Sequence, residues 1–117
     1  MDPRLPNGVY PWRSEEHSIT KVDDMITLTG TDTLAGAAVS LDKCVRNLAR
    51  FANIPLERAI HHATAVPARS LGAETQRRKG TLCVGTDADI CIWDPTTGTV
   101  RSTWKAGRQV FGDLVAL

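Results

Sequence analysis

Three rhythms of apolar and polar residues run along this chain. Residues His17 to Thr29 alternate, with Asp23-Asp24 set between Ile19-Thr20-Lys21-Val22 and Met25-Ile26-Thr27-Leu28-Thr29. Period-two alternation around a polar pair predicts a β-hairpin, although Asp-Asp is a poorer turn than Asp-Gly. Leu41, Cys44, Val45, Leu48, Phe51 and Ala52 then recur at helical spacing, with Asp42, Lys43, Arg46, Asn47 and Arg50 between them. This predicts an amphipathic helix over about Ser40 to Ala52, capped by Ser40 and closed by Asn53. Pro55 suits the first turn of a second helix, about Leu56 to Thr64, and Pro67 opens a short third over Ala68 to Leu71, ended by Gly72. Short links make the three pack as neighbours, with the first helix contributing the widest apolar stripe to that packing and Leu56, Ala59, Ile60 and Ala63 of the second turned inward. The third rhythm is a series of short apolar runs broken by turn residues. It predicts strands at Gly80–Val84, Asp89–Asp94, Thr99–Lys105 and Arg108–Phe111. Two segments lack apolar periodicity and read as loops: Met1 to Glu16, with three prolines and an Asn7-Gly8 turn, and Ala73 to Lys79.

Between hairpin and helix lies Gly30-Thr-Asp-Thr-Leu-Ala-Gly-Ala-Ala38, a glycine-spaced loop almost without bulk. Two readings stand for it. It is a tight connection whose alanines pack, or a thin-walled approach by which a polar ligand reaches free amides at a helix start.

Composition narrows the function classes. With 117 residues, 42% of them hydrophobic, the chain lies in the size range of one domain with a modest core. A formal net charge of +1 gives no electrostatic reason to invoke nucleic acid or a membrane surface. No apolar stretch approaches the ~20 residues of a membrane span, and the polar, proline-rich start lacks a signal-like segment. Cys44, Cys83 and Cys91 sit in apolar patterns, which predicts buried free thiols and a cytoplasmic setting. Arg77-Arg78-Lys79 reads as a solvated loop. His61 and His62 are neighbours on one helix and point about 100° apart, so they cannot grip one ion together. Asp87 and Asp89 flank a turn, and turn chemistry accounts for them more simply than acid–base work.

The stretches T-D-T-L-A-G-A-A with V-R-N, then A-T-A-V-P-A-R-S-L-G, K-G-T-L-x-V-G-T-D-A-D-I and W-K-A-G-R-Q-V occur in an order that resembles the C-terminal part of the N-acetylglucosamine-6-phosphate deacetylase family. That family lies within the metal-dependent amidohydrolases. The resemblance covers about Leu5 to Phe111. It implies an α+β piece: the C-terminal end of an amidohydrolase TIM barrel (hairpin plus three helices, residues 1–72), then antiparallel strands of a small β-sandwich domain (residues 73–117).

It also implies a chemistry. A metal-activated water attacks the acetyl amide of N-acetylglucosamine 6-phosphate, and an aspartate handles the proton, giving glucosamine 6-phosphate and acetate. The divalent metal is held by residues upstream of this chain, and Asp2 does not match the catalytic aspartate. The resemblance therefore assigns this chain no catalytic or metal residue and predicts it inactive alone. Leu34, Ala35 and Gly36 carry over as substrate contacts at the C-terminal face of the barrel. The family often has serine where Ala37 stands, which removes one hydroxyl contact. The implied partner is a small amino-sugar phosphate, with neither nucleic acid nor membrane, and a homo-oligomer is compatible. The competing reading is a non-catalytic remnant that acts as an interaction module through unpaired strand edges. Under either, the chain is expected to expose more apolar surface than a monomer usually does.

Overall fold

The computed structural model describes residues 1–112, with side chains throughout except at residues 14–16. The chain divides into two compact units, Met1–Leu41 and Asp42 onward.

The first unit is a four-stranded antiparallel sheet, β1 (Gly8–Trp12), β2 (Ser14–Val22), β3 (Met25–Leu28) and β4 (Leu34–Ala37), ordered as in the chain. The hairpin falls where alternation placed it: Val22 pairs with Met25 and Asp23-Asp24 turns the chain. Asp23 adopts φ 51°, an angle short polar side chains tolerate best. Asn7 holds it there. Its amide nitrogen donates to Asp23 Oδ1 at 3.1 Å, and its amide oxygen accepts from the Asp23 backbone N–H at 2.7 Å.

The loop expected over Met1 to Glu16 is instead largely sheet. β1 and the start of β2 occupy it, and Pro11 is accommodated because β1 is an edge strand whose missing N–H disturbs no central ladder. On the inner face Tyr10, Ile19 and Leu28 form one row across the sheet. Gly8, Lys21, Ile26 and Gly36 form the next. Ile19, Ile26 and Ala38 are the buried centre, with Tyr10, Trp12, Leu28 and Ala35 packed on them. Lys21 is buried too, and its ammonium donates to Asn7 Oδ1 at 3.5 Å.

The second unit carries α1 (Leu41–Ala52), whose first residue lies at the unit boundary, then α2 (Leu56–Ala63), α3 (Ala65–Ser70) and α4 (Ala73–Arg78). A three-stranded sheet follows: β5 (Ile90–Trp93), β6 (Val100–Lys105) and β7 (Arg108–Phe111). Asn53 ends α1 at φ 50°, and Pro55 precedes α2, as expected. Pro67 lies inside α3, in its first turn, where a missing N–H costs nothing.

Four expectations are corrected. Residues Ala73 to Lys79 are not a loop but α4, held by Gln76 N–H to the Gly72 carbonyl at 3.0 Å and Lys79 N–H to the Thr75 carbonyl at 2.8 Å. Gly80–Val84 forms no strand, and Leu82 and Val84 stand in solvent at 79% and 106% exposure. The stripe of α1 is not turned inward: Val45 is buried, but Leu41, Cys44, Leu48 and Phe51 are exposed. Beside Val45 the inner side carries polar groups. Arg46 donates to Asp42 Oδ2 at 2.6 Å and to the Gly98 carbonyl at 3.0 Å, across the β5–β6 turn. Finally, all three cysteines are free and exposed rather than buried.

Candidate substrate-contact strand

Leu34, Ala35 and Gly36 lie in β4, the edge strand of the first unit, so the expected small-residue loop is a strand at this point. Both ends of β4 are pinned. The Leu28 N–H donates to the Thr33 carbonyl at 2.9 Å, and the Ala38 N–H to the Asp24 carbonyl at 2.8 Å. Gly30, at φ 78°, makes the turn between β3 and β4. Within it Thr31 Oγ1 donates to the Leu28 carbonyl and accepts from the Thr33 N–H.

The three residues are consecutive but differently placed. Gly36 pairs with Ile26 and Leu34 with Thr27, so Ala35 is the extra residue of a β-bulge. A bulge bends its strand and re-aims side chains, and bulges concentrate beside functional sites. Ala35 turns onto the Ile19–Ile26–Ala38 core, whereas Leu34 is 68% exposed. Around Gly36 the space a β-carbon would take is open. The strand offers apolar surface and backbone groups and no titratable side chain. Its chemistry is shape and backbone hydrogen bonding, not proton transfer.

Other sequence candidates are not brought to it. His61 and His62 are exposed on α2, their rings edge-on with centroids 6.3 Å apart. Asp2 is paired with Arg4, whose guanidinium hydrogen bonds hold the carboxyl down at about 2. Among the described residues no three His, Cys, Asp or Glu side chains converge on one point. The donors present therefore do not fit the divalent metal of the resemblance, and no chemical step is derived through one.

Asp87 and Asp89 anchor a different cluster. Asp87 takes Arg78 at 3.1 Å and Lys79 at 2.7 Å, and Asp89 takes Lys79 while its other oxygen accepts from the Ala106 N–H at 2.8 Å. Hydrogen bonds from Lys79, then Arg78, lower the Asp87 pKa. For Asp89 the causes are Lys79, then the Ala106 amide. Lys79 is raised in return by Asp87 and then Asp89. Both carboxylates stay ionised, which makes them ties between the end of α4, the 85–89 turn and the β6–β7 turn rather than proton donors. The sequence showed the turn but not its partners. Arg78 and Lys79 read as solvated because a charge run carries no sign of what it faces.

The sequence profile of the amidohydrolase family matches residues 18–111. Among curated relatives, N-acetylglucosamine-6-phosphate deacetylase of Danio rerio is 40% identical over 107 residues, covering 92% of this chain and 25% of the relative. The protein of that name from Bos taurus is 38% identical over 108 residues, with the same shares. The crystal structure of N-acetylglucosamine-6-phosphate deacetylase from Pasteurella multocida superposes with a TM-score of 0.75 at 20% identity, over 87% of this chain and 25% of that one. This chain thus spans about a quarter of the length of the relatives it matches. No helix among the described residues is long and apolar enough to cross a membrane. On the profile match, which takes in both units, the chain belongs to the amidohydrolase family.

Proposed function

We propose that this chain is the C-terminal quarter of an N-acetylglucosamine-6-phosphate deacetylase, which hydrolyses the acetamide of a small amino-sugar phosphate to glucosamine 6-phosphate and acetate in the cytoplasm. The observation that carries the reading is identity of 40% and 38% over 92% of the chain to relatives bearing that name. In this reading residues 1–72 close the barrel domain and residues 73–117 supply strands to its β-sandwich. The bulged strand Leu34-Ala35-Gly36 lines the sugar site. Its pinned ends and the open space at Gly36 support a wall that touches ligand through backbone and small side chains. The groups that hold the divalent metal and move the proton lie outside this chain, which is silent by itself.

The test is a graft. Exchanging the matching quarter of the Danio rerio relative for this chain keeps deacetylation of N-acetylglucosamine 6-phosphate. A folded graft without activity sinks the reading, as does metal-supplemented turnover by the isolated chain that rises in proportion to its concentration. In an active graft, Gly36→Val raises the substrate Michaelis constant, and an unchanged constant removes Gly36 from the site.

A further inference from the structure

The strand Leu34-Ala35-Gly36 is held in two halves that depend on different turns. Register between β3 and β4 slips between Ile26 and Thr27, so the bulge at Ala35 separates the Leu34 end from the Gly36 end. The Leu34 end is set locally: Gly30 turns the chain, and the Leu28 N–H reaches the Thr33 carbonyl at 2.9 Å. The Gly36 end is set from the other turn. Ile26 faces Gly36, Met25 faces Ala37, and one step further the Ala38 N–H donates to the Asp24 carbonyl at 2.8 Å. Where that carbonyl points depends on the backbone of Asp23-Asp24. Asp23 sits at φ 51°, a region that a β-carbon disfavours and that persists only where the surroundings support it.

The support comes from Asn7, ahead of β1. Its Nδ2 donates to Asp23 Oδ1 at 3.1 Å, and its Oδ1 accepts from the Asp23 N–H at 2.7 Å. The same Oδ1 accepts from the ammonium of buried Lys21 at 3.5 Å. Asparagine suits the place because one amide carries both donor and acceptor. Alanine offers neither, and aspartate would set two carboxylates against each other. Resting on the reading above, we propose that Asn7 is a positioning residue for the deacetylation. Through Asp23 and the Asp24 carbonyl it sets the Gly36 end of the strand that lines the sugar site, and it touches no substrate itself. In the sequence Asn7-Gly8 reads as a turn of its own; in the fold its side chain braces a different turn.

The experiment uses the graft of this chain into the Danio rerio relative. Asn7→Ala should raise the Michaelis constant for N-acetylglucosamine 6-phosphate about fivefold, the fold-change of one lost hydrogen bond, with kcat per folded molecule kept within about twofold. Asn7→Asp should do as much harm. The double variant Asn7→Asp/Asp23→Asn reverses donor and acceptor across the pair, suits the φ of position 23, and should restore the constant. Hydrogen exchange reads the geometry without substrate: in Asn7→Ala the Ala38 amide loses protection while the Leu28 amide keeps it, and the double variant restores Ala38. A merely structural role would lower the thermal midpoint and the yield of folded enzyme at an unchanged Michaelis constant, and that result overturns the proposal. So does a double variant as impaired as Asn7→Asp. If Asn7→Ala does not fold, Asn7→Asp and the double variant make the same comparison. A folded graft without activity sinks the functional reading, and the two amides then decide whether Asn7 sets the strand. An active graft whose Michaelis constant and Ala38 protection ignore Asn7→Ala sinks the inference and spares that reading.

Discussion

The two units treat their apolar residues in opposite ways. In Met1–Leu41 the period-two pattern closes on itself: four strands in sequence order put Ile19, Ile26 and Ala38 under Tyr10, Trp12 and Leu28, and a core exists within 41 residues. In the unit from Asp42 onward the period-3.6 pattern is as clean, yet most of the α1 stripe faces outward; the buried apolar residues there are Val45 and the small Ala59, Ala65 and Ala68, and ion pairs and backbone contacts add ties between helices and strands. A hairpin brings its own partner within a few residues. A helix face has to be met by some other element, and periodicity says nothing about whether that element is at hand. Amphipathicity identifies a face that seeks burial, not a face that is buried.

The comparison is broken most directly by truncating the closed core. Ile26→Ala should destabilise the first unit by about 2–5 kcal/mol, because the lost side chain leaves a hole between Lys21 and Gly36 that a four-stranded sheet cannot collapse around. Residue-resolved hydrogen exchange checks it. Protection of β2 and β3 amides should fall while α2 and α3 keep theirs. A loss spread equally over both units would show that they are not separate.

Next comes a steric test of the second unit. Gly80 adopts φ 86°, and a β-carbon there would lie 2.8 Å from Ala68 Cβ and 2.9 Å from both Ala65 Cα and the Thr64 carbonyl oxygen. The chain leaving α4 thus crosses α3 at backbone contact, which only glycine permits. Gly80→Ala should cost about 1–3 kcal/mol by overpacking alone. Urea unfolding followed through Trp93 and Trp104 reads it, and an unchanged midpoint would show that the crossing gives way freely.

A smaller effect is expected from the ion cluster, and its sign follows from the direction of the shifts. Asp87 and Asp89 are lowered, so their contribution is present above the ordinary carboxyl range and fades as pH falls through that range toward the folded values. Lys79 is raised, so its share persists through neutral pH and is lost only as pH rises past the usual lysine range. Stability of the second unit should therefore be level across neutral pH and decline in acid. Asp89→Asn should flatten the acid decline and leave the neutral-to-alkaline plateau unchanged in shape. An acid limb of unaltered steepness would remove the cluster from the account.

Much of this architecture was readable from the residues, and the misses have physical causes. The hairpin at Asp23-Asp24, the ends of α1 and α2 and the strand Arg108–Phe111 rest on local signals that act where they stand. β1 was hidden because three prolines read as breakers, and only its edge position makes Pro11 harmless. Ala73–Arg78 has no apolar stripe, so nothing in its pattern marks α4. Gly80–Val84 has the strand pattern without a neighbouring strand, and a strand does not exist alone. At the candidate site, Leu34, Ala35 and Gly36 were identified by resemblance. The bulge that separates exposed Leu34 from core-facing Ala35 depends on registry with β3, which no single stretch encodes.

The smallest expected effect is also the most discriminating. Leu48 and Val45 lie on the same helix stripe, but Leu48 is 38% exposed and Val45 only 3%. Leu48→Ala should cost the isolated chain less than ~1 kcal/mol, because much of the side chain is already in water and alanine is the better helix former. Val45→Ala should cost about 1.5 kcal/mol, the transfer cost of two buried carbon groups. Placed in the covalent graft, the order should invert if the α1 stripe is covered there, with Leu48→Ala rising toward the ~2–5 kcal/mol of a buried leucine. Equal costs for Leu48→Ala in the free chain and in the graft would mean the stripe is simply solvated, and the contrast between the two units would then reflect composition rather than a missing neighbour.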